Sequence, residues 1–289
     1  MAETTPHLIP CADGFELRAT LHSPEGPAGA VVLMHPATAV PERMYFAFAR
    51  RLASEGFVVV TYNYRGVQPH GAAKRVRAGF STWAEQDVEA VTHWAATKHP
   101  GLPLLAVGHS FGGHAIGLCE SSQRLRAAVM ITSHAGCLRF VRSWGERLKV
   151  ALLLKVIGPF CARVLGYVPG RKLGIGEDLP AQVMLEWSRW TSLPEYFFDD
   201  PSMDARARFS RPRMPVLSIG MEDDPWAPAE AVDLISRHLT GCPVERRQFT
   251  RADSGGHDIG HLGFFRERHA ATLWPVVSDW LHRHATERA

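Results

Sequence analysis

The stretch Leu104–Gly117 reads LLAVGHSFGGHAIG. An apolar run stops at Gly108-His109-Ser110-Phe111-Gly112, and a run of small, helix-compatible residues follows. The five residues fit the pattern G-x-S-x-G. A serine at a sharp strand-to-helix turn takes strained backbone angles. Glycines flank it because a Cβ there would collide with the neighbouring strand and helix. Such a turn lifts the serine oxygen above a sheet at a helix N-terminus, where backbone N–H groups can meet a developing negative charge. The pattern alone recurs by chance. Its context, an apolar strand-like run before it and GGHAIGL after it, gives it weight.

Working outward, short β-branched apolar runs recur at AVVLMH (30–35), FVVVTYN (57–63), PLLAVGH (103–109), AAVMIT (127–132) and PVLSIG (215–220). They are apolar throughout, as buried parallel strands are. Helical patterns separate them at 43–56, at 82–99 and after Ser110. The alternation predicts a parallel sheet covered on both faces. LRATLHS (17–23), after the turn signal Asp13-Gly14, reads as an antiparallel strand at the sheet edge, and VERRQF (244–249) as the last strand. From about Ser133 to Arg211 no convincing strand occurs, which predicts a helical insertion at 135–211 over a core formed by 1–134 and 212–289. Within it, Val183, Met184, Trp187 and Trp190 share one helical face, with Pro180 near a first turn.

The remaining composition narrows the function. With 289 residues and 46% hydrophobic content the chain can bury a large core. A net charge of +3 gives no reason to expect nucleic acid. Between Arg139 and Lys172, however, eight Lys/Arg stand against one acidic residue, Glu146. That stretch reads as a solvated basic face around an apolar lid helix, or as a surface for an anionic substrate or an anionic membrane. Five scattered cysteines suggest reduced thiols in a cytoplasmic protein. The N-terminal residues show no secretory pattern. VALLLKVIGPFCARVL is too short and too charged to span a bilayer, so no stable membrane insertion is expected.

A serine hydroxyl is a weak nucleophile unless a base takes its proton and a carboxylate orients that base. Asp223 and Asp224 follow the strand PVLSIG, where ligand-facing groups sit in open α/β sheets. Two histidines, His257 and His261, follow the last strand. Both choices stay open on the residues alone. An H-x3-H metal reading of His257 and His261 is weakened by the glycines around them. Cys119 reads as a buried thiol.

Together, HPATAV (35–40), TYNYRG (61–66), GHSFGG (108–113), DDPWAP (223–228) and GHLGFFR (260–266) make the chain resemble an α/β-hydrolase from about His7 to His284. It is similar in particular to bacterial predicted hydrolases that carry DDPWAP, GHLGFFR and an insertion containing GYVPGRKLG. The resemblance implies an α/β-hydrolase fold: a mostly parallel sheet of about eight strands, helices on both faces and a helical cap. It implies Ser110 as nucleophile, Asp224 as acid and His261 as base, with Asp223 and His257 as the rivals. The oxyanion donors would be the N–H groups of Phe111 and Ala37, with Thr38 as substitute, because Pro36 has none to give. His35 is expected to shape that loop.

Two departures from the family pattern stand out. Asn63 replaces the usual aspartate, which should leave its structural role intact. The segment after Gly66 lacks the usual continuation, so that wall of the pocket is expected to differ. The implied activity is serine-dependent acyl transfer on an ester-like bond of a small molecule, without metal or organic cofactor. Thioester, amide or carbon–carbon bond hydrolysis, acyltransfer and a non-catalytic binding role remain alternatives. Trp144, Trp187, Trp190, Phe197 and Phe198 would either line the substrate site or pack the cap onto itself.

Overall fold

Four apolar runs, at 30–35, 57–62, 104–109 and 216–221, are buried at every position, and each is a strand. Successive side chains of a strand point to opposite faces, so a run buried throughout must be covered on both sides. The computed structural model describes residues 3–68 and 71–286. Its strands are β1 (Glu3–Pro10), β2 (Glu16–Ser23), β3 (Ala30–His35), β4 (Phe57–Tyr62), β5 (Leu104–His109), β6 (Leu125–Ile131), β7 (Tyr167–Val168), β8 (Leu179–Pro180), β9 (Val216–Met221) and β10 (Val244–Phe249).

Eight of them form one sheet in the order β1-β2-β4-β3-β5-β6-β9-β10. β2 runs antiparallel to both β1 and β4, and the remaining pairs are parallel. This is the α/β-hydrolase architecture that the motifs implied. One expectation is corrected: β2 is not the edge. β1 covers it, in register from Glu3 against Ser23 to Pro10 against Glu16. Pro6 and Pro10 weaken the strand signal, yet proline is tolerated where one side of a strand is unpaired. Ile9 is the strand's one fully buried side chain.

Alternation along the strands sorts the core into two layers. Val32, Met34, Val59, Leu105 and Val107 face the helix Phe46–Ser54 and the C-terminal helix Trp274–Thr286, through Phe48, Leu52, Trp274, Val277 and Leu281. Val31, Leu33, Val60, Ala106 and Met130 face Trp83, Val88, Val91, Ile116 and the segment after β6. Each such Val or Leu stabilises the fold by roughly 1.5–3 kcal/mol relative to exposure.

Between β6 and β9 the chain leaves the sheet and returns beside it. A helix spans 144–165, wound as a π-helix over Leu153–Ile157 and as α-helix on either side. A second helix, Ala181–Trp190, packs against it and buries Val183, Met184 and Trp190. The reading of this segment as free of strands needs one amendment, since β7 and β8 pair antiparallel as a two-residue ladder. No described helix is long and apolar enough to cross a membrane.

Candidate active site

The carboxyl ends of β3, β5, β6, β9 and β10 all lead into loops on one side of the sheet. Ser110 sits at the end of β5 with φ 51° and ψ −114°, an unusual conformation for a residue with a Cβ, and opens the helix Phe111–Leu118. Its N–H donates to the Ile131 carbonyl of the neighbouring strand at 2.8 Å, which fixes the turn. The glycines are required by close approach. A Cβ on Gly108 would lie 2.5 Å from the Gly112 backbone, and one on Gly112 would lie 2.0 Å from the His35 carbonyl oxygen. Phe111 is the first helical residue, so its N–H has no acceptor within the helix.

The structure separates the two aspartates and the two histidines. His261 Nδ1 lies 2.6 Å from Asp224 Oδ2. Asp224 Oδ1 accepts from the N–H groups of Trp226 (2.9 Å) and Ala227 (3.2 Å), so a single buried carboxylate is held on three sides. Burial opposes its ionisation. The adjacent His261, His134 and the Trp226 N–H outweigh that and hold Asp224 down at about 2. Asp223 is turned elsewhere: its two oxygens accept from the N–H groups of Ile259 (2.7 Å) and Gly260 (2.8 Å), bracing the loop before His261. His257 is exposed, with its ring 6.5 Å from that of His269.

Behind these groups runs a chain of buried hydrogen bonds. The His261 carbonyl can only accept, so His109 donates to it from Nε2 at 2.9 Å. His109 Nδ1 then accepts from the Tyr45 hydroxyl at 2.9 Å, and Tyr45 Oη accepts from the Ala37 N–H at 2.8 Å. Burial, with the nearby His261 adding to it, pushes His109 down to about 3, so this tautomer is neutral. The loop after β3, the residue before Ser110 and the backbone of His261 are thus tied together. The Ala37 N–H, expected to face a substrate, is instead engaged by Tyr45.

Ser110, His261, Thr38, His134, Trp187 and Trp226 line one cavity of about 260 Å³, closed over by Val150, Leu153 and Leu154 of the 144–165 helix. No acidic side chain lines it among the described residues. A larger groove of about 710 Å³ lies at the amino ends of β5, β6 and β9, lined by Arg124, Arg126, Arg211 and Arg213. That is the opposite edge of the sheet from Ser110, away from where ligand chemistry gathers in this architecture. Among the described residues no group of three or more His, Cys, Asp or Glu could hold a metal ion.

A family model described as "Serine aminopeptidase, S33" matches residues 25–169, half of the chain. The chain belongs to this family of α/β hydrolases.

Solved structures extend the likeness over the whole length. The hydrolase is similar to a thermostable carboxyl esterase from Bacillus coagulans in complex with glycerol, at 14% identity and a TM-score of 0.68, covering 98% of this chain and 99% of that one. It is similar to an esterase from Exiguobacterium antarcticum at 15% identity and a TM-score of 0.62, covering 98% and 100%. It is also similar to the acylaminoacyl peptidase of Pyrococcus horikoshii at 15% identity and a TM-score of 0.63, covering all of this chain and 42% of that one.

Within the hydrolase, other sequence expectations divide. Of the five aromatics, Trp187 lines the cavity. Trp190, Phe197 and Phe198 are buried against Phe80 and Phe209, and Trp144 is 74% exposed. None of the described residues of 67–80 lines the cavity, and Pro69 and His70 lie outside the described residues. Asn63 ties β4 to Glu42, accepting from its N–H at 2.9 Å and donating to its carboxylate at 3.0 Å. His35 is buried and shares a 2.8 Å hydrogen bond with the Tyr62 hydroxyl. Cys119 is buried, and its thiol is pushed up to about 12 by that burial.

Sequence reasoning missed Tyr45, His134 and Trp226. His134 follows β6 at a carboxyl strand end, a signal that was available. Its ring lies 5.2 Å from that of His261, and burial lowers it to about 4.

Proposed function

We propose that the protein is a carboxylic ester hydrolase acting through Ser110, His261 and Asp224, with residues 135–211 as a cap on a core of 1–134 and 212–289. The observation that carries this reading is the 2.6 Å contact between His261 Nδ1 and Asp224. It leaves Nε2 of His261 as the basic nitrogen in the cavity that Ser110 lines. His261 takes the Ser110 proton as the hydroxyl oxygen attacks the ester carbonyl. The imidazolium, stabilised by Asp224, then protonates the leaving alcohol. Water, activated in turn by His261, attacks the acyl-enzyme, and the acid leaves with Ser110 restored.

One oxyanion donor is the Phe111 N–H. The second is the Thr38 N–H, since Ala37 donates to Tyr45. Two such donors lower the barrier by several kcal/mol, about 3 for each one removed in comparable sites.

The cavity favours an ester over a peptide with a free amino terminus. An α-ammonium group needs a carboxylate partner in a low-dielectric site, and no acidic side chain lines the cavity among the described residues. Its walls of Val150, Leu153, Leu154 and Trp187 suit a small apolar acyl group.

Intact-mass measurement after treatment with a fluorophosphonate tests the reading. One adduct is expected on the wild type and none on Ser110→Ala, with turnover of a short-chain nitrophenyl ester lost in parallel. Folded wild-type protein that takes no adduct and turns over no ester would refute it.

A further inference from the structure

The helix at 144–165 has an inner face over the cavity, through Val150, Leu153 and Leu154. Its outer face is unlike that of other helices in the molecule. Trp144, Leu148, Leu152, Val156, Phe160 and Val164 are each between 49% and 74% exposed. They recur every four residues. In a pure α-helix such a row would wind around the axis by roughly 40° per step. The π-helical turn at Leu153–Ile157 is wider, so it reduces that drift at the middle of the row and keeps the six side chains on one side. Soluble proteins rarely leave so long a contiguous apolar row in water without a use for it.

What surrounds the row says what it meets. Arg139, Arg142, Lys149, Arg163, Arg171 and Lys172 are exposed on this helix and its flanks, with Arg142 paired to Glu230 at 2.8 Å and Arg171 to Glu177 at 2.5 Å. Between Arg139 and Lys172 the single acidic residue is Glu146, which binds Lys149 at 3.7 Å and accepts from Trp226 Nε1 at 3.1 Å. Trp226 is 42% exposed and also lines the cavity, so the apolar row begins where the cavity meets solvent.

We propose that this helix docks, lying flat, on an anionic lipid surface. An apolar stripe bearing Trp, Phe and Leu and bordered by Lys and Arg is the pattern of a helix that lies in a membrane interface. The charged residues bar it from spanning. A second copy of the chain fits less well, because a two-fold pairing of these faces would set the same cations against each other. Resting on the hydrolase reading, docking also defines the substrate class: a lipophilic ester that moves from the bilayer past Trp226 into the cavity.

The test is cosedimentation of the full chain with phosphatidylcholine vesicles, with and without a phosphatidylglycerol component, beside the double variant Leu148→Glu, Phe160→Glu. Neither residue lines the cavity. The wild type should bind the anionic vesicles, release them on raising the salt, and bind pure phosphatidylcholine weakly. The variant should bind at least about tenfold less. Fold is checked by melting temperature, so a failure of ester hydrolysis and a failure of docking are read separately. Wild type that ignores anionic vesicles, or a variant that binds as well as wild type, overturns the proposal. A wild-type dimer that the two glutamates dissociate, without vesicle binding, overturns it in favour of a second copy as the occupant.

Discussion

Asp223 and Asp224 are chain neighbours at the end of β9, and their carboxylates point to different partners. Asp224 faces His261, while Asp223 holds two backbone N–H groups of the loop before it. Asp224→Asn should lower kcat by about 10³–10⁴, because the amide no longer favours the proton on Nδ1 of His261, and should also lower stability near neutral pH, where the native partners hold this carboxylate ionised. Asp223→Asn should differ in rate. It should keep kcat within about tenfold and cost about 1–2 kcal/mol in a urea titration, because its acceptor pair is weakened. Equal effects of the two variants on kcat would contradict this division of roles. The neighbouring carboxylates could not be told apart from residue order alone. The distinction lies in what each one reaches, the His261 ring for Asp224 and the Ile259 and Gly260 N–H groups for Asp223, all in a loop more than thirty residues away.

At the scale of elements, the elbow is fixed by contacts between backbones. Gly112→Ala places a methyl group 2.0 Å from the His35 carbonyl, so β3 or the helix Phe111–Leu118 has to move. A loss of about 1–3 kcal/mol and of most activity is expected. Gly145, in the helix at 144–165, has open space around its Cβ direction, and Gly145→Ala should raise the melting temperature slightly. Tyr45→Phe removes the hydroxyl that bridges Ala37 and His109 and leaves two buried polar groups unpaired. It should cost about 1–3 kcal/mol and lower kcat more than it raises KM, as measured on a soluble ester.

How far these elements were legible follows from how they are held. Strands buried on both faces announce themselves as unbroken Val, Leu and Ile runs, and the Gly-x-Ser-x-Gly turn by its glycines. β1 was illegible because its pairing is made by backbone groups and a single buried side chain, Ile9. The bridge through Tyr45 joins residues 37, 45, 109 and 261, a set that only the folded chain brings together. The engaged Ala37 N–H was invisible for the same reason.

For the whole molecule, the histidines set a lower pH limit. His35, His109 and His114 are lowered to about 3, and His22 and His134 to about 4, in each case chiefly by burial. They are neutral in the folded protein, whereas in the unfolded chain they take up protons near pH 6.5. The stability linked to them is complete above about pH 6.5 and is lost as the pH falls toward 3–4. Each group contributes up to about 1.4 kcal/mol per pH unit in that window. Urea midpoints should be level above pH 7 and fall steeply between pH 6 and 4. A level profile down to pH 5 would mean that these rings are protonated in the native state.

The pairing of β6 with β9 reaches beyond packing. Ala128 to Ile131 of one strand lie directly beside Val216 to Ile219 of the other, although more than eighty residues separate them in the chain. The segment between them therefore leaves and rejoins the sheet through adjacent stems, like a cassette held by two neighbouring pins. An insertion of another length or composition fits between the same pins without displacing a strand or the Ser110 turn. Evolution can then exchange the segment between the pins while keeping the strand ends in place, and an engineer can graft along the same seam.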